Sequence, residues 1–163
     1  MTIRLGVPRP SDSAALFEWI NDAETVSFNA RYRPAALSGH EEWFAGLNRD
    51  SSRVFFAIRN GQDLIGSLQL VDLRPVHQTA ELIVRIGSRE QRGKGFGTEA
   101  LKLAVAFAFA DLNLQRVWLR VFADNARAIA SYKKVGFTEE GTMRRASWIK
   151  GAWVDEVVMA VLR

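Results

Sequence analysis

Between two strongly apolar stretches, "AELIVRIGS" and "EALKLAVAFAFADL", the chain reads Gln91-Arg92-Gly93-Lys94-Gly95-Phe96-Gly97-Thr98. Glycine loses more conformational freedom on folding than any other residue, so three of them at every second position mark a backbone that must come close to something. An apolar strand, a glycine loop and an apolar helix in succession have a definite chemistry. The first turn of the helix presents N–H groups without partners, and the helix dipole adds about half a positive charge at the same point. Such a loop suits an anion, and a phosphate is the favoured guest. Arg92 and Lys94 can add charge directly. The plainer alternative is a tight strand-to-helix turn with no ligand. Three glycines and two cations at a helix start weigh against it.

Two familiar phosphate loops do not fit. A Walker A loop needs Gly-Lys followed by Ser or Thr, and here Gly95 follows Lys94. A dinucleotide fingerprint needs G-x-G-x-x-G after the first strand of a unit, with an acid at a strand end about twenty residues on. This loop is G-x-G-x-G after a fourth strand, and "LNLQRV" offers no such acid.

Around the loop, periodicity gives an order of elements. "TIRLGV" alternates as a strand. Pro10-Ser11-Asp12 opens a helix to about Asn21, and the capping-box pair Ser38 and Glu41 predicts a second helix from Ser38. "DAETVSFNARYRPAA" between them reads as irregular. "RVFFAIR" and "LIGSLQLVDL" flank the turn signal Asn60-Gly61, and "TAELIVRIG" leads into the loop. A helix from about Gly97 to Leu112 is apolar nearly all round, which predicts burial. "RVWLRVF" is a strand, and Asn125 opens a short helix that ends at Gly136. "TMRRASWI" and "AWVDEVVMAVL" form a closing hairpin at Lys150-Gly151, with Trp148 opposite Trp153. The order β-α-α-β-β-β-α-β-α-β-β describes a mixed α/β sheet, read as one domain over residues 1–163.

Composition excludes several classes. There is no cysteine, hence no disulfide and no thiolate chemistry, and two histidines, His40 and His77, are too few for a histidine-rich metal site. The net charge of +4 comes from scattered residues, which disfavours an extended nucleic-acid stripe. No stretch is long enough to span a bilayer and no signal-peptide core opens the chain, so a cytoplasmic location is expected, without membrane or nucleic-acid partners.

The loop Arg92-x-x-Gly95-x-Gly97 resembles the Q/R-x-x-G-x-G/A pyrophosphate loop of the GNAT superfamily of N-acetyltransferases. Downstream, "NARAIASYKKVGFTEEGTMRR" resembles that family's N-x-x-A-x-x-x-Y-x-K-x-G-F pattern with the following E-G. The two matches stand in the right order, one helix and one strand apart, and the resemblance runs from about Ile58 to Leu162. The pattern "EEG…R……G…D…M" is similar to the subgroup of ribosomal-protein N-terminal, polyamine and amino-sugar-nucleotide acetyltransferases. The resemblance implies an α/β (α+β) fold with a mixed, largely antiparallel central sheet, splayed middle strands and flanking helices.

It further implies acetyl-CoA as donor, no metal, and transfer to a primary amine by direct attack in a ternary complex. The alternative is a non-catalytic acyl-CoA-binding regulatory module. Arg92, Gly93, Lys94, Gly95, Phe96, Gly97 and Thr98 would wrap the pyrophosphate, and the edge of the strand carrying Ile83, Val84 and Ile86 would pair with the pantetheine arm. Asn125 would contact the pantetheine or phosphate portion, with help from Ser131. Tyr132 matches the family's general acid. It lies seven residues from Asn125, two turns or about 10 Å along one helix face, although spacing alone leaves a core aromatic as an equal reading. Glu81 is the candidate base, directly or through water, with a structural ion pair as its plainer role and His77 as another titratable group nearby.

The acceptor would lie against the N-terminal third. Asp22, Glu24, Glu41 and Glu42 could attract a polyamine or a peptide amine, whereas Arg31 could meet a phosphate and Phe28, Tyr32 or His40 could line an amino-sugar nucleotide. Trp19 and Trp43 fit the spacing of helix core residues. A homodimer is a common state of such proteins, and the Trp148/Trp153 pair could serve it or pack within one chain.

Overall fold

The computed structural model describes residues 2–26 and 33–163. Strand β1 (Ile3–Gly6) leads through a 3-10 turn at Pro10–Asp12 into α1 (Ser13–Asn21) and the short α2 (Ala23–Val26). Helix α3 (Leu37–Gly46) then precedes a run of three strands, β2 (Val54–Asn60), β3 (Asp63–Arg74) and β4 (Thr79–Ile86). Helix α4 (Phe96–Ala110), β5 (Arg116–Phe122) and α5 (Ala126–Val135) follow, and β6 (Thr138–Ile149) and β7 (Ala152–Leu162) close the chain. Seven strands form one sheet in the order β1-β2-β3-β4-β5-β7-β6.

Every neighbouring pair is antiparallel except β4 and β5. Their parallel ladder covers only Thr79, Ala80 and Glu81 against Arg116, Val117 and Trp118. On its other side β4 pairs with β3 along its whole length, and β5 pairs with β7 along its whole length. Each of the two middle strands therefore follows its own antiparallel partner. Among the described residues, no strand lies beside the β5-side edge of β4 from Leu82 to Ile86. This is the splay that the family resemblance implied.

The two faces of the sheet differ. Under α4 lies the main core, with Ile58, Leu68, Leu70, Val117, Leu119 and Met159 at 1% exposure or less. Ala100, Ala104 and Ala108 are fully buried at four-residue spacing, so a stripe of methyl groups lets α4 approach the strands closely. Burying each such leucine contributes about 1.5–3 kcal/mol. On the opposite face, α1 and α3 cover β2 with a smaller cluster of Leu16, Leu47 and Phe55, flanked by Trp19, Trp43 and Phe44.

Local departures from the sequence reading have physical causes. Helix α4 lies on one face of the sheet, so it is not buried all round. Leu103 is 42% exposed, and Lys102 points to solvent, where it meets Glu99. Ser38 is not a cap: α3 starts at Leu37, and its N-cap Ala36 has no side chain that could bond. The stretch after Asn21 forms α2 because Asp22 accepts the Thr25 N–H, closing a helical turn. At the hairpin, Lys150 (φ 47°) and Gly151 (φ 84°) make the expected two-residue turn. Trp148 faces Trp153 edge to face, with ring centroids 5.1 Å apart.

Gly66 shows how tightly β3 and β4 meet. A Cβ there would stand 2.1 Å from the Arg85 carbonyl oxygen, a backbone atom that cannot step aside. Gly66→Ala should therefore lower the free energy of unfolding by about 3 kcal/mol, read as a shift of the urea midpoint.

Candidate active site

The glycine loop is built as an open cradle. Gly93 (φ 79°) and Gly95 (φ 84°) both adopt the left-handed conformation, and Gly95 is the N-cap of α4. Glu99 donates its N–H to the Gly95 carbonyl at 3.1 Å. The N–H groups of Phe96, Gly97 and Thr98 come before that bond and have no helical acceptor. Lys94 is exposed beside them.

Arg92 does not add its charge to the cradle. Its guanidinium donates to the carbonyls of Ile86 (2.9 Å) and Gly87 (3.0 Å) and to the Thr25 hydroxyl (3.3 Å), and it pairs with Glu24 at 3.0 Å. Arg92 thus braces the end of β4 against α2. A different arginine, which sequence reasoning did not single out, lies over the loop. The Arg127 guanidinium is 3.8–4.0 Å from the point a Cβ on Gly93 would occupy, and it forms no hydrogen bond or ion pair among the described residues. Its place depends on how α5 packs on α4, which no local pattern reveals.

Helix α5 carries the other donor-side residues. Asn125 is its N-cap, with Oδ1 accepting the Ala128 N–H at 3.2 Å. Ser131 donates its hydroxyl to the Arg127 carbonyl one turn back. Both side chains thus have helix-local bonds, and the Asn125 amide nitrogen is left for other partners. Tyr132 packs its ring against Phe137, centroids 5.9 Å apart, and burial pushes its pKa up to about 12. The phenol, protonated at neutral pH in any case, thus keeps its proton well into the alkaline range.

At the splay, Glu81 is nearly buried, with 13% of its side chain exposed, and accepts a hydrogen bond from Arg120 Nε at 3.0 Å. That bond raises the pKa of Arg120 against the opposing effect of its desolvation. The Arg120 guanidinium also lies 5.9 Å from the centroid of the Trp118 ring. Strand alternation puts Glu81, Ile83 and Arg85 on the face away from α4, while Val84 and Ile86 pack into the main core. His77 is not part of this group. It lies exposed in the turn before β4, at the opposite end of that strand from the glycine loop.

The residues expected to meet an acceptor divide. Asp22 and Glu24 reach the loop side, where both pair with Arg89. The Thr25 N–H, then the Arg89 guanidinium, hold the Asp22 carboxyl down from the usual 3.8 to about 2. Asn21 clamps both ends of the segment that follows, donating to the Phe17 and Ala35 carbonyls and accepting from the Ala35 N–H. His40 is a core histidine. It is 5% exposed, its Nε2 lies 2.9 Å from the Ser13 carbonyl oxygen, and Phe17, Trp43 and Phe44 surround it. It forms one wall of a cavity of about 50 Å³, with Trp19, Trp43, Gln69 and Arg85 among the others. Trp19 lies directly on Gly87, where a Cβ would come within 1.9 Å of the indole. Arg31, Phe28 and Tyr32 lie outside the described residues. Among the described residues no group of three His, Asp or Glu side chains is arranged to hold a metal, and no helix is long and apolar enough to cross a membrane.

Known proteins share the family and the fold of this chain. Residues 2–138 match the family model of the acetyltransferase (GNAT) domain. The spermidine N(1)-acetyltransferase of Escherichia coli is 34% identical over 114 residues, a match that covers 70% of this chain and 61% of that protein. The Vibrio cholerae spermidine N(1)-acetyltransferase is 31% identical over 124 residues, covering 76% and 71%. A crystal structure of the V. cholerae spermidine N-acetyltransferase in complex with CoA and spermine superimposes with a TM-score of 0.93 at 26% identity, covering 98% of this chain and 95% of that one.

The Asp22 contacts give a pH test. Its folded pKa lies below the unfolded value, so its contribution is present above about pH 4 and disappears as pH falls through about 2. Asp22→Asn should be less stable than the parent at pH 6, and the two melting temperatures should converge between pH 4 and pH 2 in a thermal-unfolding series.

Proposed function

Because this chain belongs to the GNAT acetyltransferase family, we propose that it transfers the acetyl group of acetyl-CoA to a primary amine, with polyamines as the acceptor class. The observation that carries this reading is the unpaired edge of β4, which runs from the glycine loop to the splay at Glu81. Free N–H groups at Phe96, Gly97 and Thr98 suit the donor's pyrophosphate, and Arg127 stands ready as the cation beside it. The β5-side edge of β4 beyond Glu81, which no described strand covers, suits the amide-bearing pantetheine arm, which can add to the sheet as a strand would. Polyamines come first among acceptors because the E. coli and V. cholerae relatives carry that substrate in their names.

In the reaction the neutral amine forms a C–N bond to the thioester carbonyl and the C–S bond breaks. Glu81 accepts the proton that the amine must lose, directly or through a water. Tyr132, protonated at neutral pH, gives its proton to the departing thiolate and recovers one from solvent. An N–H of the free β4 edge near Ile83 or Val84 meets the oxygen on which charge develops. Products are the N-acetylated amine and free CoA thiol.

The test is thiol release from acetyl-CoA with polyamines, short peptides bearing free N-termini, and nucleotide-linked amino sugars. Polyamine-dependent release supports the proposal, and a different active class would replace the acceptor. Stabilisation by acetyl-CoA with no release from any amine would point to a binding module. Tyr132→Phe is expected to lower kcat by about 100-fold while acetyl-CoA affinity and melting temperature stay near the parent's, which kinetics, calorimetry and thermal unfolding together would check.

A further inference from the structure

The sheet face away from α4 carries a carboxylate that the steps above do not use. Glu156 on β7 is 7% exposed. Its hydrogen-bond partner is the Ser147 hydroxyl of β6, which donates to one carboxylate oxygen, and the other oxygen takes no hydrogen bond from the described residues. A buried carboxylate held by one neutral hydroxyl is poorly compensated, because burying a charge is costly until a cation meets it.

The strand register supplies a cation. Val158 pairs with Arg120 and Glu156 pairs with Phe122, so Arg120 is the diagonal neighbour of Glu156 on the same face. Arg120 is nevertheless hydrogen-bonded to Glu81, through Nε alone, and its side chain is 47% exposed. One half-exposed guanidinium therefore stands between two carboxylates. Glu81 on β4 pairs with Trp118 on β5, and Glu156 lies two strands and four residues away from Glu81. At ordinary sheet spacings that offset separates their Cα atoms by about 16 Å; the Glu81 carboxylate bonds Arg120 directly, whereas the Glu156 carboxylate bonds Ser147 on the β6 side and acts on Arg120 through its charge.

We propose that Glu81 and Glu156 are a paired ammonium site, and that Arg120 is a resident counter-cation which a linear polyamine displaces. The reacting amine goes to Glu81, and a second ammonium of the same molecule goes to Glu156. Arg120 moves out toward solvent, which its exposure allows. A monoamine cannot reach both carboxylates, whereas an extended chain of methylenes with two charges can. Glu156 is thus a specificity-determining residue: it selects acceptors with a second positive charge. This inference rests on the polyamine reading above.

The test compares spermidine with butylamine, using the full chain and the variants Glu156→Gln and Arg120→Gln. Wild type is expected to prefer spermidine. Glu156→Gln should raise the KM for spermidine about tenfold while the KM values for butylamine and acetyl-CoA stay unchanged and kcat moves little. Arg120→Gln should lower the KM for spermidine severalfold, since the competing cation is gone. An unchanged spermidine KM in Glu156→Gln overturns the inference, as does an equal rise for both amines or a higher spermidine KM in Arg120→Gln. If burial makes Glu156→Gln misfold, seen by circular dichroism, the half-exposed Arg120→Gln decides alone. Failure of the wild type to turn over any amine would reject the transferase reading itself. Equal kcat/KM for spermidine and butylamine in wild type would reject only the paired site.

Discussion

Three residues of parallel pairing hold β4 to β5, and the functional geometry depends on where that ladder stops. The core under α4 ties β4 to β3 and β5 to β7, each by a full antiparallel ladder. Neither middle strand can follow the other without leaving its own partner. A sheet would ordinarily leave unpaired N–H and C=O groups only at its outer edges, because orphaned polar groups inside are costly. Here a second edge opens inside the sheet, and it ends at a loop of unpaired N–H groups. An extended, amide-bearing, phosphate-ended molecule satisfies both features at once.

Charge around that opening is arranged in pairs. Glu81 meets Arg120, and Asp22 and Glu24 meet Arg89 and Arg92. Pairs in which one partner is this open to solvent add little to stability, about 0–1 kcal/mol each. Their effect is on position. The Asp22–Arg89 and Glu24–Arg92 contacts fasten the α1–α2 corner to the end of β4. Buried pairs have a different weight. Arg59 and Asp12 are both under 10% exposed and bind each other, and removing either would strand a charge in the core. Glu156 stands apart because it is buried like Asp12 but, among the described residues, takes its hydrogen bond from a serine rather than from a cation.

Glycine contributes in two distinct ways. At Gly93 and Gly95 the chain needs the left-handed conformation that shapes the cradle. At Gly66 and Gly87 the backbone angles are ordinary and the need is for space, against the Arg85 carbonyl and the Trp19 indole. A sequence displays both kinds alike. Only the packed neighbours tell them apart.

The glycine loop, the order of elements apart from the short α2, the family and the pairing of Trp148 with Trp153 were legible in the sequence, because each follows from local rules: period, turn chemistry and motif spacing. Tyr132 was legible as a candidate for the same reason. Tertiary packing decided the rest. It turned Arg92 away from the loop and put Arg127 there, because α5 rests against α4. It made His40 a core residue and left His77 in a distant turn, although as sequence positions both looked available. It gave Glu81 an arginine thirty-nine residues away. Local sequence sets what a segment can form, whereas the partner of a charge depends on which strands lie side by side, and that is fixed by burial of the whole core.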